Sequence, residues 1–217
     1  MKQARIFLVS ILTILFVASS FFAVAKKAAP FNKCPSPVEI VWGDPSAPVV
    51  IIEYSSITCG HCASFAKYNF PKLSEEYIKK GQVFYIIREF PLDVVSLNLA
   101  QIIFNQDIKL CKKLRETLLL NQEKWLLSKD PKKSALNILR PAGITSEVVA
   151  QSEGNATLKK NLLLQRVNCS KMDVDSTPTF FIYRRGGSMK TAEQIDGFVE
   201  YAKFQRSIEK FLKRHDK

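Results

Sequence analysis

The stretch Val49-Val50-Ile51-Ile52-Glu53-Tyr54-Ser55-Ser56-Ile57-Thr58-Cys59-Gly60-His61-Cys62 decides how this chain is read. Its first part, Val49 to Tyr54, is the short β-branched run expected of a strand buried on both faces, with Glu53 out of place inside it. After the last cysteine, Phe65, Ala66, Phe70, Leu73 and Tyr77 recur at helical spacing. Cys59 and Cys62 therefore sit where a strand gives way to a helix. There the free backbone N–H groups and the positive end of the helix dipole stabilise the thiolate of the first cysteine. The same spacing can hold zinc, so the rest of the chain has to choose between redox chemistry and metal. Structural zinc sites want four ligands, commonly two such pairs. Here there is one pair, with no second Cys/His cluster at ligand spacing, which disfavours a metal module.

Outward from this stretch, the chain alternates between strand and helix patterns. Val38 to Trp42 alternates like a short strand, and Gly43-Asp44-Pro45 ends it with turn chemistry. Pro71 is expected to kink or restart the first helix and Gly81 to end it. Val83 to Arg88 reads as a second buried strand. A long helical stretch follows from about Leu92 to Cys169, with breaks at Asp130-Pro131, Pro141-Ala142-Gly143 and Gly154. Strand character returns at Thr179 to Tyr183. A Gly-Gly turn and a short strand at Gln194 to Asp196 complete a hairpin, and Phe198 to Leu212 reads as an amphipathic helix. The order is β, β, α, β, a helical block, then β, β, α. That is an α/β layout of thioredoxin type, a β-α-β unit and a hairpin with helix, carrying an all-helical insertion at about 92–169.

The N-terminus has the pattern of an export signal. Lys2 and Arg5 form a basic region, Ile6 to Phe22 is mostly apolar without charge, and Ala23-Val24-Ala25 offers a small-x-small cleavage pattern. Cleavage after Ala25 is the expectation. An uncleaved membrane anchor is the alternative, because the apolar run is long enough for a thinner bilayer. Either way the rest of the chain is expected outside the cytoplasm, in a periplasm-like compartment where disulfides persist. Residues 1–25 then form the signal peptide or anchor, 26–37 a polar, Pro-containing extended arm, and 38–217 one domain. The net charge of +12 comes from scattered basic residues without the aromatic interleaving of a nucleic-acid platform, so a nucleic-acid partner is not expected.

Three segments then carry a family resemblance. The run APVVIIEYSSITCGHCASFAKYNFPKLSEEYI, the REFPLD after the next strand, and STPTFFIYRRG near the end resemble, in order and spacing, the DsbA family of secreted bacterial thiol–disulfide oxidoreductases. The resemblance covers nearly all of the chain beyond the leader. It implies Cys59 as the nucleophile and Cys62 as the buried resolving thiol of a redox-active disulfide. It implies that Pro178 is a cis-proline facing the dithiol, with the Thr177 backbone N–H and C=O free to bind a client strand. Glu53 matches a buried acid of the family, whose pKa desolvation would raise and which could relay the proton of Cys62. The alternative for Glu53 is a salt bridge to a lysine.

His61 favours the Cys59 anion in this reading. Gly60-His61 is more like the pair in eukaryotic protein disulfide isomerase, where DsbA proteins more often carry Pro-His. Thr177, too, is a threonine shared with isomerases. Both departures bear on how oxidising the pair is, within a range of about 150 mV between thioredoxin and the strongest oxidants. An isomerase is accordingly the runner-up function, although the short arm leaves little room for a dimerisation element and a monomer is expected.

The resemblance also implies a second, non-catalytic disulfide between Cys111 and Cys169, which would contribute about 4 kcal/mol on the chain-entropy model. Two buried thiols are the alternative. Cys34, in the arm, is the odd cysteine: a free thiol, an intermolecular link, or a residue whose role needs the uncleaved anchor. No cofactor is implied, since the dithiol carries the electrons. The implied partners are unfolded exported proteins as clients and a quinone-linked membrane reoxidant of the DsbB type. His215, near the C-terminus, is expected to be solvated.

Overall fold

A computed structural model describes residues 38–170, 173–187 and 191–213. The leader and arm, with Cys34, and the C-terminal His215 lie outside the described residues. Five strands form one sheet: β1 (Glu39–Trp42), β2 (Val49–Ser55), β3 (Val83–Glu89), β4 (Thr179–Arg184) and β5 (Glu193–Asp196), in the order β1-β3-β2-β4-β5. Parallel pairing of β2 with β3, and antiparallel pairing of β4 with β2, put the β-branched run in the middle of the sheet. Every residue of β2 is buried, as its apolar content requires.

Alternation along β2 divides the molecule into two cores. Val49 and Ile51 face one cluster with Cys62, Phe65, Tyr85, Cys111, Phe180 and Phe204. Val50, Ile52 and Tyr54 face the other, with Ile86, Cys169, Val174 and Phe181. Gly43, in the turn after β1, has φ +84°, and a Cβ there would lie 2.4 Å from the Val83 carbonyl oxygen, so the turn needs glycine.

The first helical segment starts at α1 (Gly60–Ser64) and runs through α2 (Phe70–Leu73), with π-helical turns at Phe65–Asn69 and Ser74–Ile78. Where a kink or restart is expected at Pro71, α2 starts at Phe70 with the proline in its first turn. The wider turn before it accommodates a residue without an N–H, and Gly81, at φ +70°, ends the segment as expected. The helical insertion consists of α3 (Val94–Phe104), α4 (Ile108–Leu120), α5 (Gln122–Leu126), α6 (Pro131–Leu139), α7 (Ser146–Glu153) and α8 (Ala156–Ser170). The breaks at Pro131, Pro141 and Gly154 fall where the sequence puts them. Those at Asn105–Asp107 and Asn121 are additional, and Asp107 caps α4 through the Lys109 and Leu110 N–H groups.

The last helix, α9 (Tyr201–Leu212), starts three residues later than its periodicity suggests. Through Phe204 it joins Phe65 and Phe180, with ring centroids 5.3 Å and 4.9 Å from them. Those contacts lock the dithiol helix, β4 and α9 together. Among the described residues no helix is long and apolar enough to cross a membrane.

Candidate active site

Cys59 is the N-cap of α1. Its backbone is extended, and its Sγ accepts the Cys62 N–H at 3.3 Å. The helix start is held from three sides. The Gln122 amide donates to the Ile57 carbonyl at 2.9 Å and the Cys59 carbonyl at 3.1 Å. The Thr58 hydroxyl donates to Asp93, which caps α3, at 2.8 Å. The Ile57 N–H donates to the Glu89 carboxylate at 3.3 Å. Gln122, Asp93 and Glu89 had no place among the site residues read from the sequence. REFPLD, which contains Glu89 and Asp93, was the one signal that pointed near them.

The two sulfurs stand in different environments. Cys59 is 8% exposed and Cys62 1%. The Cys62 thiol, the Thr177 hydroxyl and the Cys62 and His61 backbone N–H groups lower the Cys59 pKa from 9.0 to about 6, against the opposing effect of burial. Burial pushes Cys62 well above its ordinary value, reinforced by the Cys59 thiol and the Glu53 and Cys59 charges, while the Ser55 hydroxyl acts the other way. His61 is exposed, and what it brings to Cys59 is its backbone N–H.

The loop before β4 faces this pair. The Thr177–Pro178 peptide is cis. The Thr177 carbonyl is not free, however: it accepts the Cys59 thiol at 3.2 Å. The Thr177 Oγ1 is buried with no settled hydrogen bond, yet its hydroxyl favours the Cys59 anion, so it is placed to turn towards the sulfur.

Behind the dithiol lies a buried polar cluster. Glu53 is 2% exposed, and its partner is the Tyr85 hydroxyl, which donates to it, rather than a lysine. Glu89 is also buried. Desolvation raises its pKa to about 7, Arg115 and the Ile57 N–H hold it down, and the Glu53 and Cys59 charges add to the rise. Arg115 reaches in from α4 and donates through Nη2 to Ser55 Oγ at 2.5 Å. Its Nε is buried without a hydrogen-bond partner.

The disulfide implied for Cys111 and Cys169 is not present. Cys111 is a thiol in the core on one face of the sheet, donating to the Ile103 carbonyl at 2.8 Å. Cys169 belongs to the cluster on the other face. The sheet separates them, and no side-chain rotation brings two sulfurs through it to bonding distance. Trp125, which donates to the Leu118 carbonyl at 2.9 Å, is part of the core. Among the described residues no group of three or more His, Cys, Asp or Glu side chains is placed to hold a metal ion.

A family model described as thioredoxin matches residues 35–205. A protein of Rickettsia conorii named as a protein-disulfide oxidoreductase is 28% identical over 146 residues, which is 66% of this chain and 53% of that one. Its counterpart in Rickettsia typhi is 27% identical over 146 residues, 66% of this chain and 54% of that one. The chain thus matches about half the length of these curated relatives. The crystal structure of alpha-DsbA1 from Wolbachia pipientis superposes with a TM-score of 0.74 at 25% identity, covering 83% of this chain and 94% of that one. A protein-disulfide isomerase from Novosphingobium aromaticivorans shares the fold, with a TM-score of 0.67 at 18% identity over 81% of this chain and 98% of that one.

Proposed function

The chain belongs to the thioredoxin family, in its DsbA-like group with a helical insertion, and on that premise we propose that it is an extracytoplasmic thiol–disulfide oxidoreductase that introduces disulfides into exported proteins. The observation that carries this reading is the asymmetry of the dithiol. Cys59 favours the anion at a helix N-terminus beside the surface, and Cys62 is buried and held protonated.

In the oxidised protein a client thiolate attacks Cys59 Sγ. The Cys59–Cys62 bond breaks, its electron pair leaves on Cys62, and a client–Cys59 mixed disulfide forms. Cys62 then takes a proton from solvent, which the buried Glu53 carboxylate behind the dithiol can relay. A second client thiolate attacks the client sulfur of the mixed disulfide, closing the client's disulfide and releasing Cys59 as its stabilised anion. A low Cys59 pKa makes that release favourable and the enzyme's disulfide oxidising.

On this reading residues 1–25 direct export or anchor the chain, 26–37 form an arm, and 38–217 are the working domain. The protein acts as a monomer in the periplasm, and a quinone-linked membrane protein of the DsbB type restores its disulfide.

The test is to mix the oxidised protein with a reduced, denatured client and to measure its equilibrium with glutathione. The expected results are client oxidation and a reduction potential well above the roughly −270 mV of thioredoxin. A potential near thioredoxin's would overturn the oxidant reading. An isomerase, which Gly60-His61 and Thr177 favour, would instead restore a scrambled client in its reduced form and fail to oxidise the reduced one. Stoichiometric metal that blocks alkylation of Cys59 and Cys62 until chelated would overturn both redox readings.

A further inference from the structure

We propose that the outer side of α8 is the surface through which this domain rests on an anionic lipid membrane. The proposal rests on the reading of residues 1–25 above and takes the anchor, rather than the cleaved signal, as their fate. It adds to that reading the face that the anchored domain turns to the bilayer.

α8 packs into the protein through Leu162, Gln165 and Cys169. On its opposite side Ala156, Lys160, Leu163, Leu164 and Val167 recur at helical spacing. Leu163, Leu164 and Val167 are 43%, 39% and 53% exposed, and they line an open groove with Ala156, Lys159 and Lys160. Among the described residues no other helix exposes three large apolar side chains. A helix that serves only its own domain needs one apolar stripe, as α9 has in Phe204, Ile208 and Phe211. α8 has two, and the outer one is left for something beyond the domain.

Charge says what that is. Lys159, Lys160 and Arg166 lie on α8, which carries no acid. An apolar strip flanked by cations alone is the pattern of a helix lying on anionic lipid. It suits a second copy poorly. Two such helices would oppose their cations, and a stable dimer buries about 800 Å² per partner, beyond what three side chains supply.

The path of the chain points to the same side. Val38, the first described residue, is buried with Ala100 and Leu162, and Leu158 of α8 packs against that cluster. Residues 23–37 join it to the apolar run Ile6–Phe22, and they too hold cations, Lys26, Lys27 and Lys33, without an acid. A flexible chain of that length spans about 20 Å, against about 40 Å across a domain of this size. An anchor joined there holds α8 near the bilayer rather than α9, which packs on the other core. The tether raises the local concentration of lipid at a patch too small to bind it alone.

The contact also bears on the dithiol. The Gln165 amide donates to the Glu89 carbonyl at 2.7 Å, and Arg166 donates to the Pro91 carbonyl. The Glu89 side chain in turn accepts from the Ile57 N–H, just ahead of Cys59. α8 is thus fastened to the dithiol end of the sheet, and lipid contact through it holds Cys59 within reach of a membrane-bound reoxidant.

The experiment uses the full-length chain in vesicles of phosphatidylcholine, or of equal parts phosphatidylcholine and phosphatidylglycerol. A benzophenone amino acid replaces Val167 or, as a control, the exposed Ala202 of α9. Irradiation is expected to give a lipid adduct at position 167 and not at 202. The yield should be at least about 5-fold higher on the anionic vesicles, the value of one cation near such a surface. Lys159→Gln combined with Lys160→Gln should lower it by a similar factor, and Leu163→Gln combined with Leu164→Gln should abolish it. All four side chains are exposed, so the melting temperature should stay at the wild-type value. In the membrane fraction of a bacterium making the protein, the chain should keep residues 1–25 by mass.

A chain cut after Ala25 and found only in the soluble fraction would overturn the proposal. So would equal adducts at 167 and 202, equal adducts on the two lipids, an adduct to a second copy in place of lipid, or no adduct. Those outcomes leave the exchange function intact, and each α8 variant should oxidise a reduced client at the wild-type rate. A wild type that forms the lipid adduct but cannot oxidise the client would instead overturn the exchange function.

Discussion

The Tyr85 hydroxyl donates to the Glu53 carboxylate in the core beneath Cys62. The two residues come from adjacent parallel strands, two residues out of direct register and so on the same face, with Glu53 opposite Ile87 and Tyr85 opposite Ile51. An acid that would otherwise be a buried liability is thus given a partner that cannot neutralise it by transferring its proton at ordinary pH, since burial and the Glu53 charge raise the Tyr85 pKa well above its usual value. Glu53 stays available to the sulfur above it.

Glu53→Gln is expected to slow client oxidation by about 10-fold or more at near-neutral pH, the lower range for loss of a general acid–base group. Its melting temperature should not fall, because an amide is cheaper to bury than a carboxylate and still accepts from Tyr85. Stopped-flow oxidation of a reduced peptide checks the rate, and an unchanged rate would remove Glu53 from the mechanism.

Reduced protein is expected to titrate at Cys59 near pH 6, read as thiolate ultraviolet absorbance and lost in Cys59→Ser. A depressed folded-state pKa contributes stability that is fully present above about 9 and lost as the pH falls through about 6. Oxidised protein has no such titration. The melting temperature of the reduced form relative to the oxidised form should therefore rise with pH between those values, and a constant difference would contradict the assignment.

Glu89 has the opposite sign. Its pKa is raised from 4.5 to about 7, so its contribution is fully present below 4.5 and lost as the pH rises through 7. Glu89→Gln in oxidised protein should gain stability over the wild type as the pH climbs through this interval, by up to roughly 3 kcal/mol before the loss of the Arg115 counter-charge is subtracted. Urea unfolding at a series of pH values measures it, and a gain confined to acid would contradict the direction.

Gln122→Ala leaves the Ile57 and Cys59 carbonyls without the amide that holds them. We expect a loss of about 2 kcal/mol in urea unfolding. Because those carbonyls belong to the turn that presents the N-cap sulfur, the Cys59 titration should broaden or move as well. A loss of stability with an untouched titration would limit Gln122 to a structural role.

Disulfide mapping of the oxidised protein under denaturing, alkylating conditions should recover Cys59 linked to Cys62 and no peptide linking Cys111 to Cys169. Cys111→Ala should cost on the order of 1–2 kcal/mol through the small cavity and the lost contact to Ile103, without changing the reduction potential. A recovered Cys111–Cys169 link would require the two faces of the sheet to be rearranged.

Much of this protein is written locally. A β-branched run expected of a buried strand, followed by two cysteines at a helix start, places the dithiol where the structure has it, after a central strand and with Cys59 as the helix N-cap. Strand and helix periods, with Gly and Pro as punctuation, set out the β-α-β unit, the insertion and the closing hairpin, but not the breaks at Asn105–Asp107 and Asn121, which neither Gly nor Pro marks. What the sequence left open involves pairs brought together across long separations. Arg115 meets Ser55 from 60 residues away and Gln122 meets Cys59 from 63, and no periodicity or motif marks either contact.

The cysteines show the same division. Cys59 and Cys62 are three positions apart, so one helical turn fixes their relation whatever the rest of the chain does. Cys111 and Cys169 depend on which face of the sheet each helix covers, and packing put them on opposite faces. By itself the sequence determined where the two cysteines of the proposed reaction stand, at the end of a strand and the start of a helix. The tertiary structure decided what surrounds them, because burial, unlike helical spacing, is a property of the whole chain.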